Sequence, residues 1–268
     1  PVEVIGYPVK IFDEVPSLDL NLDFDFNYLA VAQWGPRKNL QNVIRWFVEE
    51  NYDQEVGLII KTSLKNNSIV DRGYAEILVK NSIPDLPDCK CKVYMLHGDM
   101  SESEIHALYR HPKVKAMVSL THGEGFGLPL FEAAYSALPI IAPGWSGQAD
   151  FLYTLPKTTS KKNKKKKKAM FADVDYTIGP VPPEAVWPGV IEKESMWCHP
   201  TEGSFKLRMR QLRKNYDKWL KKAQVLQSWV VEEFEYEKMH KKLSNAIYPE
   251  PSVEEREWLD KLSEVEIL

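Results

Sequence analysis

The sequence predicts an α/β fold: a parallel sheet with helices on both faces, followed by further helices. Three features carry that prediction. Short apolar runs of strand length alternate with longer runs of helical period, the pattern of successive βαβ units. Ser101 and Glu104 form a capping box, a helix-start signal inside that alternation. At 122–132 a glycine-rich corner, HGEGFGLPLFE, joins a β-type run at 113–120 to a helical stretch. Strands linked by helices in this way form parallel sheets covered on both faces.

In chain order, strands are expected over 29–34, 56–61, 92–96, 114–120 and 139–142, with helices over 39–50, 68–80, 102–110 and 129–137 between them. After that the chain changes character. Lys161, Lys162 and Asn163 precede an unbroken run of lysines, 164–168. Like charges repel, so a flexible Lys-rich insertion is expected over about 157–169. Its alternative uses are contact with an anionic membrane surface, an acidic acceptor or nucleic acid. No aromatic residue interleaves the lysines, which argues against stacking on single strands. A strand over 170–178 and a proline-rich loop over 180–188 come next. Phe205, Met209, Leu212, Tyr216, Trp219, Leu220, Ala223, Leu226 and Val230 then recur at helical spacing, as one long amphipathic helix packed on the sheet would. Ser252 and Glu255 cap a last helix, whose Trp258, Leu259 and Leu262 are expected in the core.

With 268 residues the chain has room for one large or two modest domains and a core. The division expected is one domain over 1–248 and a C-terminal helix over 249–268. A net charge of −3 gives no bulk attraction to nucleic acid, so no specific nucleic-acid partner is expected. No apolar run approaches the roughly 18 residues of a membrane-spanning helix. No basic-then-apolar signal segment opens the chain, and a cytoplasmic location with peripheral membrane contact is expected. Because it opens on Pro1, the chain is expected to begin inside a longer protein or after processing. Cys89, Cys91 and Cys198 are an odd set without regular spacing, which suits a reducing compartment. Neither Cys89 and Cys91 with His97, nor Cys198 with His199, has the spacing of common zinc sites, so no metal is expected. The Asp23/Asp25 and Asp173/Asp175 pairs read as surface acid.

The corner at 122–132 is where chemistry concentrates. Where a strand hands over to a helix, backbone N–H groups and the helix dipole hold an anion, usually a phosphate. Glycine lets the backbone approach such a ligand closely. Pro129 suits the first helical turn, where its missing N–H is not needed. Glu132 falls one turn into the helix, within reach of a diol. A carboxylate makes little sense for phosphate alone; it makes sense if the ligand also carries hydroxyls, as a nucleotide sugar does. Ligands of such sheets bind beyond the carboxyl ends of the strands, and this corner falls there.

The run SLTHGEGFGLPLFEAAYSALPIIA, 119–142, closely resembles the Glu-x7-Glu signature of family 4 glycosyltransferases of the GT-B fold. The resemblance implies that Glu132 binds the donor ribose, that Glu124 contacts the donor sugar, and that the backbone of Gly125, Phe126, Gly127 and Leu128 holds sugar and diphosphate. A second segment, YLAVAQWGPRKNL at 28–40, is similar to the family's phosphate-binding segment, which includes Gly35. Aligned on Lys38, it places Gln33 where many members carry an Arg; Arg37 is then expected to supply that charge beside Lys38. The chemical need is a leaving nucleoside diphosphate, whose growing charge fixed cations stabilise. Gly98, Asp99 and Met100 resemble the family loop that touches the base, and Lys61, at another strand end, is a further candidate for the donor pocket.

The resemblance spans about 2–248 and corresponds to the family's carboxy-terminal, donor-binding domain, a Rossmann-like half of the GT-B fold. It implies transfer of a sugar from a nucleoside diphosphate sugar to an acceptor hydroxyl, with retention and without a metal. Glu124, Lys38 and Arg37 are the expected catalytic residues. No cofactor is expected, since the nucleotide sugar is itself a substrate. The acceptor is a glycan, a lipid-linked glycan or a protein. An amino-terminal GT-B domain, in cis or in trans, is the implied partner. The alternative is a non-catalytic nucleotide or nucleotide-sugar binding module acting in a complex.

Overall fold

A computed structural model describes residues 2–154, 167–248 and 253–263. The lysine run lies outside the described residues except for Lys167 and Lys168, as does Ser252. The contacts divide the chain into two compact units: Phe12–Val230, and Pro1–Ile11 with Val231–Leu268.

In the larger unit the elements alternate as expected. They run β1 (Asn27–Val31), α1 (Leu40–Asn51), β2 (Gly57–Lys61), α2 (Ile69–Ser82), β3 (Lys92–Leu96), α3 (Glu102–Tyr109), β4 (Val114–Val118), α4 (Leu128–Tyr135) and β5 (Ile140–Ala142). Short elements follow: α5 (Ala149–Leu152), β6 (Tyr153–Thr154), β7 (Lys168–Ala169), β8 (Ala172–Asp173), β9 (Tyr176–Pro180) and β10 (Met196–Pro200). Two helices, α6 (Glu202–Lys214) and α7 (Tyr216–Glu233), come next, and α7 reaches the division between the units. Six strands form one parallel sheet in the order β3-β2-β1-β4-β5-β8. This is a Rossmann-like α/β arrangement, as the sequence predicts.

Both sheet faces are covered. Tyr28, Ala30, Leu58, Ile60, Ala116 and Val118 pack with Val43, Ile44 and Phe47 of α1 and with Phe205, Met209 and Leu212 of α6. The alternate residues Leu29, Ile59, Met117 and Ile140 are buried too. Each such aliphatic side chain contributes about 1.5–3 kcal/mol on burial. Local signals set the helix starts. Ser68 accepts from the Asp71 N–H at 3.1 Å. Ser101 and Glu104 cap each other reciprocally, at 2.7 and 3.3 Å.

In this unit the structure corrects four expectations. The strand over 170–178 is split, because its halves have different partners: β8 joins β5 in parallel, whereas β9 pairs antiparallel with β10. The insertion closes earlier than 169, since β7 pairs with β6. The long helix breaks at Asn215 (φ −127°, ψ 44°). There the Asn215 side chain binds the Gln211 carbonyl at 3.3 Å, a local bond that competes with helix continuation. Asp173 is not surface acid. Its carboxylate accepts from the Gly144 N–H at 2.9 Å and the Tyr153 hydroxyl at 3.0 Å.

In the smaller unit, the Val9 N–H donates to the Phe234 carbonyl at 2.8 Å. Gly6 lies so close to the Phe234 ring that a Cβ would come within 2.6 Å of it. Helix α8 (Tyr236–Ile247) buries Met239. Helix α9 (Val253–Ser263) forms as expected, but Trp258 is 61% exposed rather than in the core. Its period marks a helix without specifying what the apolar residues face. The side chains of Leu259 and Leu262 lie outside the described residues.

Candidate functional site

The carboxyl ends of β1, β2 and β3 lie level, because Val31 pairs with Lys61 and Lys61 with Leu96. The loops leaving these ends and that of β4 carry the sequence-predicted residues. After β1 the chain passes Gly35 and makes one tight turn, Pro36–Lys38. Asn39 then takes a left-handed conformation (φ 56°) that Asn tolerates, and starts α1. After β4 comes the 119–127 loop. Gly127, at φ +92°, precedes α4 in a conformation that favours glycine.

The two loops are stitched together. The Asn39 side chain donates to the Leu120 carbonyl at 3.2 Å, and the His122 N–H donates to the Arg37 carbonyl at 2.8 Å. This brings three predicted residues into one cluster. Lys38 Nζ lies 2.6 Å from Glu124 Oε1, and Arg37 lies 2.9 Å from Glu124 Oε2. Arg37 also donates to the Gly123 carbonyl. The Glu124 side chain is 11% exposed, against 19% for Lys38 and 40% for Arg37, so the carboxylate is the shielded member. Burial alone would raise the Glu124 carboxyl. The hydrogen bond and charge of Lys38, then those of Arg37, outweigh it and hold the group below its ordinary range.

Beneath this cluster a third loop locks the corner. Ser146 Oγ donates to the Glu124 carbonyl at 2.7 Å and accepts from the Glu124 N–H at 3.1 Å. The Gly147 N–H donates to the same carbonyl at 3.0 Å. A Cβ on Gly147 would fall 2.1 Å from the Gly125 carbonyl oxygen, so only glycine fits there. Gly125 and Leu128 are exposed, while the Phe126 ring packs against Phe131 and Phe151. Glu132, one turn into α4, accepts from the buried Tyr109 hydroxyl at 3.0 Å, which fixes its carboxylate.

Lys61, Gly98 and Asp99 form a separate cluster at the β2 and β3 ends. Lys61 donates to the Gly98 carbonyl, at a glycine with φ +110°, and Asn67 donates to Asp99. Burial lowers the Lys61 pKa, partly opposed by Asp99. Met100 follows, half-buried. Sequence reasoning missed what supports this cluster. Asp71 accepts from the backbone N–H groups of Leu64, Lys65 and Asn66 at 3.0, 2.9 and 3.3 Å, and bonds His97 Nε2 at 2.8 Å. Burial pushes the Asp71 carboxyl up, but these four bonds override it and hold it well below the usual range. Ser146, Gly147 and Tyr109 were missed as well. In sequence Asp71 looks like an ordinary residue of a capped first turn.

No family model matches the sequence, and no curated protein matches it. Solved structures do. The chain is similar to TarM of S. aureus, in a complex with UDP, at 16% identity and a TM-score of 0.53, over 92% of this chain and 39% of that one. It is similar to sucrose-phosphate synthase from Thermosynechococcus elongatus at 15% identity and a TM-score of 0.54, over 85% and 46%. It is also similar to Anabaena HepE, in a complex with UDP-glucose, at 11% identity and a TM-score of 0.51, over 83% and 48%. At these identities the likeness is one of fold: the Rossmann-like α/β arrangement of this chain is shared with part of each of these proteins. The chain spans less than half the length of each of these proteins.

Proposed function

We propose that this chain is the donor-binding part of a glycosyltransferase that moves a sugar from a nucleoside diphosphate sugar to an acceptor hydroxyl. The observation that carries the reading is the Arg37–Lys38–Glu124 cluster at the glycine corner ahead of α4. Two cations beside exposed backbone and a helix start are the chemistry of a diphosphate site. A sugar donor explains the two glutamates, which phosphate alone does not. Structures of similar fold that hold UDP or UDP-glucose support the same class of ligand.

In this reading the diphosphate takes Arg37 and Lys38 over from Glu124, and both cations stabilise the charge that grows as the sugar leaves. The backbone of Gly125, Phe126, Gly127 and Leu128 holds sugar and phosphates, and Glu132, fixed by Tyr109, accepts from the ribose hydroxyls. The loop carrying Gly98, Asp99 and Met100, with Lys61, meets the base. A donor phosphate oxygen takes the acceptor proton, so the reaction retains configuration and needs no metal. The acceptor is a hydroxyl on a glycan, a lipid-linked glycan or a protein, presented by an amino-terminal domain in cis or in trans. The enzyme works in the cytoplasm, with peripheral membrane contact. No helix among the described residues is long and apolar enough to cross a membrane.

The test is a thermal-shift panel of UDP, GDP, ADP and their sugars on the chain, since a ligand that binds only the folded state raises its melting temperature. One base series should raise it in a concentration-dependent way. No shift with any nucleotide would defeat the donor reading. Turnover of the active donor, acceptor supplied, with and without an amino-terminal GT-B domain, separates an enzyme from a binding module.

A further inference from the structure

A second cavity lies off the diphosphate cluster, under a hairpin that sequence reasoning did not foresee. Strands β9 and β10 pair over five residues each, and Val181 and Ala185 of the loop between them form a small core with Trp197 of β10. Between this hairpin and the start of α1 is a cavity of about 430 Å³. That volume lies in the range of small-molecule sites, roughly 300–1,000 Å³.

Its walls are aromatic: Trp34, Trp197, His122 and His199. The His122 ring stacks on Trp197 at 4.9 Å and 11°, and leans on His199 at 5.1 Å and 57°. His122 Nδ1 bonds the Cys198 carbonyl at 2.6 Å, so the stack is held rigid. Burial lowers the His122 pKa, against that hydrogen bond, which keeps its ring neutral near pH 7. The polar part of the wall is Gln41, Asn42 and Glu184. Among the described residues no Lys or Arg lines the cavity. A smaller cavity of about 160 Å³ shares Trp34, Gly35, Pro36 and Trp197 with it and adds Arg37 and Lys38. The aromatic cavity is therefore one wall away from the cations of the donor site.

We propose that this cavity is a carbohydrate subsite that takes a pyranose unit of the acceptor, a reading that rests on the proposed glycosyltransferase function. A pyranose has apolar C–H faces that lie flat on aromatic rings and a rim of hydroxyls that pair with amides and a carboxylate. Indole and imidazole walls edged by Gln41, Asn42 and Glu184 match both features. A nucleobase would also stack on these rings, so uridine and UDP are tested as competitors.

The test is saturation-transfer NMR and tryptophan fluorescence on the full chain with methyl glucopyranosides, galactopyranosides and mannopyranosides, and with uridine and UDP as separate arms. At least one pyranoside should bind, in the presence of saturating UDP as well as without it. Its affinity should fall tenfold or more in Asn42→Ala and in Glu184→Gln, both checked for an unchanged melting temperature. Glu184 is exposed, so its variant keeps the test alive if the Asn42 variant fails to fold. Binding of no pyranoside, equal binding by both variants, or displacement of the sugar by uridine or UDP would overturn the subsite. Pyranoside binding without UDP binding would instead sink the donor reading, and with it the acceptor role, leaving a carbohydrate site.

Discussion

Glu124→Gln should raise the affinity of the chain for UDP. Without ligand, Arg37 and Lys38 are both engaged by one carboxylate, at 2.9 and 2.6 Å. A diphosphate that needs these cations must compete with it. Unit charges 4 Å apart attract by about 4 kcal/mol at the effective dielectric of a protein surface. Arg37 is 40% exposed, so solvent screens much of that, and the diphosphate itself replaces most of what is lost. The expected gain is about tenfold in affinity, which is about 1.4 kcal/mol. Glutamine keeps the shape and one acceptor oxygen, so the corner should hold. The gain should be smaller for the UDP-sugar, whose sugar loses its contact with the carboxylate. Lys38→Met should move UDP affinity the other way. Titration calorimetry at fixed salt reads all three. UDP affinity in Glu124→Gln equal to or below wild type would refute the competition, and with it the idea that these cations serve a diphosphate. The same variant carries a pH signature. The folded Glu124 pKa is depressed, so its stabilisation is full above the ordinary value of 4.5 and is lost as pH falls through the lower folded value. The melting-temperature gap between wild type and variant should therefore close below pH 4.5.

Glu132→Ala should weaken UDP by roughly 1.5–3 kcal/mol, the scale of a hydrogen bond to a charged group. Tyr109→Phe should cost less, because it only frees the carboxylate that the hydroxyl holds; calorimetry showing no change in a folded Glu132→Ala chain would end the ribose role. Gly147→Ala places a methyl 2.1 Å from the Gly125 carbonyl, so the corner backbone must move. UDP affinity should drop at least tenfold, and an unaffected titration would mean that the corner does not need its present geometry. Asp71→Asn should lower the melting temperature at neutral pH. Because the folded Asp71 pKa is depressed, that loss should shrink as pH falls below its ordinary 3.8, and a loss independent of pH would show that the carboxylate charge is not what holds the 64–66 turn.

The alternation of β1 to β5 with α1 to α4 was legible because burial on both faces leaves continuous apolar runs, and helix starts carry their own caps. What was not legible is partner choice. Residues 170–178 read as one strand, yet Ala172 and Asp173 pair in parallel with β5, and from Tyr176 on the chain pairs antiparallel. Period says that a segment is extended and nothing about what lies beside it. Strand β10, MWCHP, carries a histidine and a proline and no alternation, so its pairing depends on β9. At Asn215 a single side-chain bond outweighs a helical period that runs unbroken through it.

The site divides along the same line. Residue types at the glycine corner were readable because glycine, proline and glutamate have few other reasons to stand there together. The meeting of Arg37 and Lys38 with Glu124 depends on β1 and β4 being neighbours, which no local pattern states. That neighbourhood also sets the size of ligand the proposed function requires. One cluster sits at the ends of β2 and β3, the other at those of β1 and β4, and the sheet order is β3-β2-β1-β4. Strands lie about 4.8 Å apart, so the centres of the two clusters are separated by two spacings, roughly 10 Å. A free phosphate or a single sugar reaches one cluster and leaves the other unused. A nucleoside diphosphate sugar, with base, ribose, diphosphate and sugar in line, is long enough to use both. Affinity should therefore rise from uridine to UDP, as the second cluster is engaged, and a chain that binds uridine as tightly as UDP would show that the cation cluster takes no part.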